Sequence, residues 1–276
     1  MTRMLAPAKL TLTLTVTGVR ADGLHELRAE MVALSLADEL TITEGGDGLS
    51  VEAGPGTRAE SLALDEGNLI TRALAAVGRT AAVHVVKRIP LGGGLGGGST
   101  DAAAVLRWAG CADAAVALAL GSDVPFSLRG GRALVEGVGE RVTPLDFVPR
   151  WFTLLVPPFG VDTARVYATW DEAGGLNAPE VGSNGLTAAA LAVEPRLAGW
   201  RDALGEHTGK QPLLAGSGST WFVEDAMPPG GHRGEGEPDE GGEGDAAQTS
   251  WLSQGGEQAL LVRAHTVPVD WDGPAT

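Results

Sequence analysis

The glycine-rich stretch of residues 89–100 constrains this chain more than any other feature. It places six glycines around Leu95 and ends in a Ser-Thr pair. An apolar run with strand character at 81–86 precedes it, and an Ala-rich run with helix character at 101–108 follows it. A loop without side chains lets backbone N–H groups converge on an anion, and a helix start adds positive potential. We therefore predict a phosphate-binding loop, named the glycine loop below.

Two familiar phosphate motifs do not fit the glycine loop. A P-loop needs a lysine between its last glycine and the Ser/Thr, whereas Gly98 is followed directly by Ser99. The glycines satisfy the dinucleotide pattern G-x-G-x-x-G, as any glycine-rich run would. Residues 87–90 also separate the strand from the glycines, where the Rossmann turn is tight. A mobile linker would not explain Leu95 in mid-run, so we predict a phosphate-binding loop of another kind.

Composition excludes several classes of function. The net charge of −15 argues against nucleic acid as a partner, because phosphate backbones need a basic surface, but it leaves room for a nucleotide held locally. A single cysteine excludes an internal disulfide and a thiolate metal cage. The sequence has neither a signal-peptide pattern nor an apolar run of about 18 residues. We therefore expect a cytoplasmic protein without a membrane partner.

Periodicity predicts the main elements. Leu or Val alternates with Thr over residues 10–17, which predicts a half-buried strand, and Lys9 opens its polar face. On spacing alone, a solvated lysine is the simpler interpretation of Lys9. Pro125 predicts a break in regular structure at 122–126, with Val124 extended. Further predicted elements are extended segments at 31–44, 81–86, 152–156 and 258–268, a loop at 45–60, helices at 69–77, 100–109, 112–120 and 184–207, and a Gly/Ser turn feeding a strand at 213–223.

The chain is predicted to have two units, 1–150 and 151–276. Residues 226–250 hold seven Gly, three Pro and six acidic residues against one Arg, a composition that cannot bury a core. We therefore predict a disordered acidic insert at about 226–256, between two C-terminal strands.

Three blocks in this order resemble the GHMP kinases. They are Pro7-Ala8-Lys9, the glycine loop from Pro90, and the late turn (Gly216–Thr220). The resemblance covers roughly residues 5–225 and the final strand. It implies an α+β fold of two domains, the first of the ribosomal-protein-S5 domain 2 type and the second a ferredoxin-like α/β sandwich, with the active site in the cleft between them. It also implies a kinase that uses ATP and Mg²⁺ on a small molecule, as a monomer or weak homodimer.

The resemblance also implies roles for individual residues. Asp123 would take or orient the proton of the acceptor hydroxyl, and Lys9 would hold the charge of the site and polarise that hydroxyl. Without the family match, Asp123 is a turn residue before Pro125. Ser99 or Thr100 would contact Mg²⁺. The residues that would wrap the triphosphate are Pro90, Leu91, Gly92, Gly93, Gly94, Leu95, Gly96, Gly97, Gly98, Ser99 and Thr100.

The blocks at 17–27 and 120–126 are most similar to the branch of the family that phosphorylates the 2-hydroxyl of diphosphocytidyl-methylerythritol. His25 would then recognise the cytosine edge and Tyr167 would stack on the ring. The chain departs from the family at two further substrate positions, Thr11 where Asn is usual and Leu24 where Tyr is usual. Two alternatives therefore stay open: a GHMP kinase for another alcohol, such as homoserine or a mevalonate derivative, and a GHMP-fold protein that binds nucleotide without catalysis.

Overall fold

The computed structural model describes residues 1–54, 65–177, 183–227 and 247–273, which form two β-sheets and seven α-helices. The strands of the first sheet are β1 (Thr2–Val19), β2 (His25–Glu44), β3 (Leu49–Ala53), β4 (Ala81–Lys87), β5 (Arg132–Gly137) and β6 (Arg141–Pro144). The helices in the same part of the chain are α1 (Leu69–Ala76), α2 (Gly97–Trp108), α3 (Ala114–Leu120) and α4 (Val124–Arg129).

Strand β2 is the centre of the first sheet. It pairs antiparallel with β1, with β4 through residues 39–44 and with β5 through residues 27–32. The remaining order is β3 beside β4 and β6 beside β5. Strand β1 has the predicted alternation, because its leucines at 10, 12 and 14 are buried while Thr13 and Thr17 are exposed. The predicted loop at 45–60 contains β3, and its residues 55–60 lie outside the described part of the chain.

The second sheet is antiparallel throughout, in the order β10-β11-β7-β9-β8. Its strands are β7 (Trp151–Val156), β8 (Leu213–Leu214), β9 (Trp221–Asp225), β10 (Gln248–Gln254) and β11 (Glu257–His265). The helices in this part of the chain are α5 (Thr163–Glu172), α6 (Thr187–Val193) and α7 (Arg196–Thr208). The α+β class is confirmed, while the division into domains 1–150 and 151–276 stays a prediction.

The glycine loop is anchored in a core that both sheets share. Leu95 is buried in an apolar cluster with Leu10 of β1 and with Phe152 and Leu154 of β7. Isolated bridges from β1 and β2 also join the two parts of the chain, at Leu14–Asn184 and Leu34–Thr266. The leucine in the middle of the glycines therefore fixes the loop to the protein, which a mobile linker would not need.

The prediction for Pro125 is wrong. Helix α4 begins at Val124 and carries Pro125 in its first turn. The first N–H groups of a helix have no intrahelical partner, so a proline there removes no helix hydrogen bond, and its fixed φ suits the helix. Pro125 thus starts a helix directly after Asp123 instead of interrupting regular structure.

Three predicted boundaries also change. Helix α2 begins at Gly97, inside the glycine run. The helix predicted at 184–207 is two helices, separated at Glu194 and Pro195. Strand β10 occupies part of the predicted insert at 226–256, so disorder is wrong there, and residues 228–246 of that insert lie outside the described residues. Over the described ranges, no helix has both the length and the apolar character needed to cross a membrane.

Candidate active site

Lys9 and Asp123 come together from distant parts of the chain. Nζ of Lys9 lies 3.3 Å from Oδ2 of Asp123, and the two side chains are 9% and 29% exposed. The backbone N–H of Lys9 donates to the carbonyl of Leu95 at 3.0 Å, which ties the lysine to the glycine loop. Lys9 is therefore a buried residue beside a carboxylate, and the interpretation as a solvated charge is wrong.

The local backbone geometry orients the side chains of Lys9 and Asp123 toward each other. The register of β1 against β2 shifts after Pro7 and again after Thr11, and such irregularities bend a strand and redirect its side chains. Nζ of Lys9 donates to Oγ1 of Thr11 at 3.3 Å, so these two polar groups lie together. Asp123 occupies the N-cap position of α4, but its side chain makes no capping hydrogen bond. Its carboxylate instead faces Lys9.

Close neighbours shape the backbone of the glycine loop. At Gly96 φ is 75°, and an added Cβ would lie 2.8 Å from Cγ of Lys9. At Gly94 φ is 79°, and an added Cβ would lie 2.8 Å from Cα of Gly218 in the late turn. A side chain at either position would meet both a steric clash and an unfavourable backbone conformation. Glycine at these positions therefore lets the loop approach the lysine and the late turn.

The late turn is held against the glycine loop. Oγ1 of Thr220 donates to the carbonyl of Gly93 at 2.6 Å. Asn184, which sequence reasoning did not place in the site, stabilises the turn through two side-chain hydrogen bonds. Its Nδ2 donates to the carbonyls of Leu214 at 2.9 Å and Gly216 at 2.7 Å. The third sequence block of the resemblance thus lies next to the second.

The two hydroxyls that end the glycine loop differ in their surroundings. Thr100 is buried, and its Oγ1 donates to the carbonyl of Gly97 at 2.9 Å within the first turn of α2. Ser99 is partly exposed. Gly96 occupies the N-cap position of α2 and supplies no side-chain cap, so the first N–H groups of this helix suit an anion.

Two further predicted residues, His25 and Tyr167, contact each other at helix α5. The rings of His25 and Tyr167 have centroids 4.6 Å apart, and the ring of Trp170 meets His25 edge-on at 5.8 Å. Nε2 of His25 lies 2.9 Å from Oδ1 of Asp171. Burial, and to a lesser extent the charge of Asp123, raises the pKa of Tyr167 to about 12. His25, Tyr167, Trp170 and Asp171 therefore form one group, named the histidine–tyrosine group.

Comparison with known proteins agrees with these features. Residues 68–131 match the family model described as the GHMP kinases N terminal domain. The 4-diphosphocytidyl-2-C-methyl-D-erythritol kinase of Nitrosomonas eutropha is 34% identical over 79% of this chain and 86% of its own length. The kinase of the same name from Deinococcus radiodurans is 38% identical over 79% of this chain and 82% of its own length.

This chain belongs to the 4-diphosphocytidyl-2-C-methyl-D-erythritol kinase family. A crystal structure of a kinase of that kind covers 80% of this chain and 89% of its own, with a TM-score of 0.60 and 34% identity. The resemblance to the GHMP kinases is therefore confirmed, as is the interpretation of the chain as an enzyme of this kinase type.

The two departures from the family pattern have different surroundings. Thr11 is buried and accepts a hydrogen bond from Lys9, so it contributes to the environment of the lysine. Leu24 is 51% exposed and lies beside His25 in the turn between β1 and β2. Thr11 thus takes part in the Lys9–Asp123 group, while Leu24 leaves an open apolar surface.

Sequence reasoning predicted Tyr167 but missed Asp171 and Trp170, two other partners of His25, and it missed a buried charge cluster below the glycine loop. No local signal marks Asp171, because it lies on α5, far from His25 in sequence. The cluster consists of Asp38, Lys87 and Asp101. The available sequence signal for this cluster was the position of Lys87, at the end of the strand that leads into the glycine loop.

Proposed function

We propose that this chain transfers the γ-phosphoryl group of ATP to the 2-hydroxyl of 4-diphosphocytidyl-2-C-methyl-D-erythritol. The observation that carries the proposal is the Lys9–Asp123 pair at 3.3 Å, tied through Leu95 to the glycine loop in a member of this kinase family. The substrates are small molecules, and we propose a cytoplasmic enzyme without nucleic acid or membrane partners that acts as a monomer or weak homodimer.

The phosphate half of the site is the glycine loop and the start of α2. Backbone N–H groups of the loop and of the first helical turn would bind the phosphates. The described residues contain no group of three or more His, Cys, Asp or Glu side chains that could hold a metal ion. This donor set still fits Mg²⁺, because nucleotide-bound Mg²⁺ takes most of its ligands from phosphates and water, and Ser99 would supply one hydroxyl. The ion would neutralise charge on the transferring phosphate.

The reacting half is the Lys9–Asp123 pair. Asp123 would accept the proton of the acceptor hydroxyl while the oxygen forms its bond to the γ-phosphorus and the bond from that phosphorus to the leaving oxygen of ADP breaks. The ammonium of Lys9 would stabilise negative charge as it develops on the acceptor oxygen. Such a pair suits phosphoryl transfer, where positioning and charge stabilisation supply most of the rate.

The cytidine half is the histidine–tyrosine group. Because His25 and Tyr167 contact each other, a cytosine base that stacks on the part of the tyrosine ring left open by His25 would have the histidine at its edge. A base needs directional hydrogen bonds to be told from other bases, and a histidine whose ring is fixed by Asp171 can supply one. Leu24 would offer an aliphatic surface to the same ligand.

An acceptor panel tests the proposal. The purified chain is incubated with ATP, Mg²⁺ and one of three acceptors: 4-diphosphocytidyl-2-C-methyl-D-erythritol, homoserine or mevalonate. We expect ADP release in proportion to the cytidyl acceptor alone. Release with homoserine or mevalonate instead would assign another alcohol, and binding of ATP without release would indicate a nucleotide-binding protein without catalysis.

A further inference from the structure

Three ionisable side chains lie together beneath the glycine loop and take no part in the proposed chemistry. Nζ of Lys87, at the end of β4, lies 2.6 Å from Oδ2 of Asp101 on α2 and also contacts Oδ2 of Asp38 on β2. The side chains of Lys87, Asp38 and Asp101 are 2%, 0% and 6% exposed. We call this group the Asp38–Lys87–Asp101 cluster.

Asp38 holds the beginning of the glycine loop. Its Oδ1 accepts the backbone N–H of Arg88 at 2.5 Å and that of Ile89 at 2.8 Å. These are the two amides directly before Pro90, where the chain leaves the sheet. One buried carboxylate therefore fixes the point at which the loop starts.

Lys87 and Asp101 hold the end of the loop. Asp101 lies one turn into α2, the helix that begins within the glycine run. A Cβ added to Gly97, the first residue of that helix, would lie 3.2 Å from Nζ of Lys87. The ammonium group thus packs against the first turn of α2 and connects it, through Asp38, to the start of the loop.

Stability alone does not account for such a cluster. Removing charges from water is costly, and buried ion pairs are often no more stabilising than apolar residues of similar volume. The cluster also has two carboxyl groups for one amine, and Oδ1 of Asp101 has no hydrogen-bond partner among the described residues. What the cluster does provide is a fixed spacing between the two ends of a loop whose glycines lose much backbone entropy on ordering.

We propose that Asp38, Lys87 and Asp101 form a clamp of positioning residues that presets the glycine loop for the phosphates of ATP. The proposal rests on the proposed function, since it takes ATP as the ligand of the loop. A loop whose two ends are already fixed loses less entropy when the nucleotide binds. The clamp therefore sets the affinity for ATP and leaves the chemical step and the acceptor site to other residues.

The test compares Asp101→Ala with Asp101→Asn. The alanine removes the link between Lys87 and α2, whereas the amide oxygen of asparagine can still accept from Nζ. We expect Asp101→Ala to raise KM for ATP about tenfold, with kcat changed less than about threefold and KM for the acceptor unchanged. Asp101→Asn should restore KM for ATP to within about threefold of the wild-type value.

The control is Glu30→Gln, which weakens the ion pair between Glu30 and Arg132 within the same sheet, at a 2.8 Å contact away from the loop. If Asp101→Ala fails to fold, the double variant Lys87→Met/Asp101→Asn removes the link between Lys87 and α2 without leaving a cavity at Asp101, and it should also raise KM for ATP. An unchanged KM for ATP in the alanine and double variants overturns the clamp. An equal rise of KM for ATP in Glu30→Gln would also overturn the clamp.

A binding measurement with a non-hydrolysable ATP analogue, made without acceptor, distinguishes failure of the clamp from failure of the proposed function. Weaker analogue binding by Asp101→Ala than by Asp101→Asn supports the clamp even if the wild-type chain phosphorylates a different alcohol. Equal binding by the two variants overturns the clamp even if the wild-type chain phosphorylates the cytidyl acceptor.

Discussion

Nζ of Lys9 lies 3.3 Å from Oδ2 of Asp123, while the backbone N–H of the same lysine donates to the carbonyl of Leu95. One residue therefore connects the proposed proton acceptor to the loop that we propose holds the phosphates. Because phosphoryl transfer depends on the alignment of acceptor, phosphorus and leaving oxygen, this connection relates the two halves of the site.

His25 is expected to act in acceptor binding alone. Replacing it in His25→Ala removes a directional contact to the base, so KM for the cytidyl acceptor should rise about 10- to 100-fold while KM for ATP stays the same. Steady-state kinetics with each substrate varied in turn measures both constants. His84→Ala is the matched control, because His84 lies exposed on β4 and contacts Ser50 away from the site. A parallel rise in both KM values would contradict this role.

Leu24 provides a test by gain of function. Leu24→Tyr would restore the aromatic residue usual in the family at a position that is largely exposed. An added aromatic contact with the base is worth about 0.5–1.5 kcal/mol, so KM for the cytidyl acceptor should fall about two- to tenfold. Val148→Tyr, at another exposed apolar position, controls for added surface. An unchanged KM in Leu24→Tyr would place the base away from this turn.

The charge cluster predicts a pH dependence of stability. Burial raises the pKa of Asp101 to about 8, reinforced by the charge of Asp38 and opposed by that of Lys87. The folded chain thus keeps a proton that an unfolded aspartate loses near pH 4, and the free energy of unfolding should fall as pH rises from about 4 to about 8.

Asp101→Asn has no ionisable group at this position, so its free energy of unfolding should lack this part of the pH dependence. Denaturant unfolding of both proteins at about pH 5 and about pH 9 measures the difference, which we expect to favour the variant more at the higher pH. A constant difference between the two proteins across this range would show that Asp101 is ionised throughout.

Asn184 is expected to matter for stability through the late turn. In Asn184→Ala, the carbonyls of Leu214 and Gly216 and the N–H of Leu186 lose their partner, which should cost about 2–4 kcal/mol of unfolding free energy. Asn177→Ala, at an exposed position, should stay within about 0.5 kcal/mol of the wild-type chain. Equal losses in the two variants would mean that Asn184 does not brace the turn.

Local sequence patterns predicted much of the fold, including the glycine loop between a strand and a helix. The Leu-Thr alternation gave β1, because one face of that strand is buried, and the glycine run between a strand and a helix gave the loop. Leu95 in mid-run also pointed to an anchored loop, and it lies in the shared core. The prediction for Pro125 was wrong because a proline can either end a helix or lie in the first turn of one. Its position in the chain alone does not distinguish these two cases.

The parts that escaped prediction depend on residues far apart in the chain. Asp171 meets His25 only because α5 packs beside the turn between β1 and β2, and no spacing rule connects the two. Lys87 ends a strand, where a charged residue is ordinary, and its two buried carboxylates come from β2 and α2. The Lys9–Asp123 pair became visible through the family resemblance, since each residue alone has a simpler interpretation.

The most direct test of the central claim is the phosphorylation of 4-diphosphocytidyl-2-C-methyl-D-erythritol by the wild-type chain and by Asp123→Asn, with the product's phosphorylated position determined by NMR. We expect phosphate on the 2-hydroxyl with the wild-type chain. Asp123→Asn should lower kcat by about 10²- to 10⁴-fold while ATP binding persists, because the amide cannot accept the hydroxyl proton. A wild-type kcat in Asp123→Asn, or phosphate on another hydroxyl, would contradict the account.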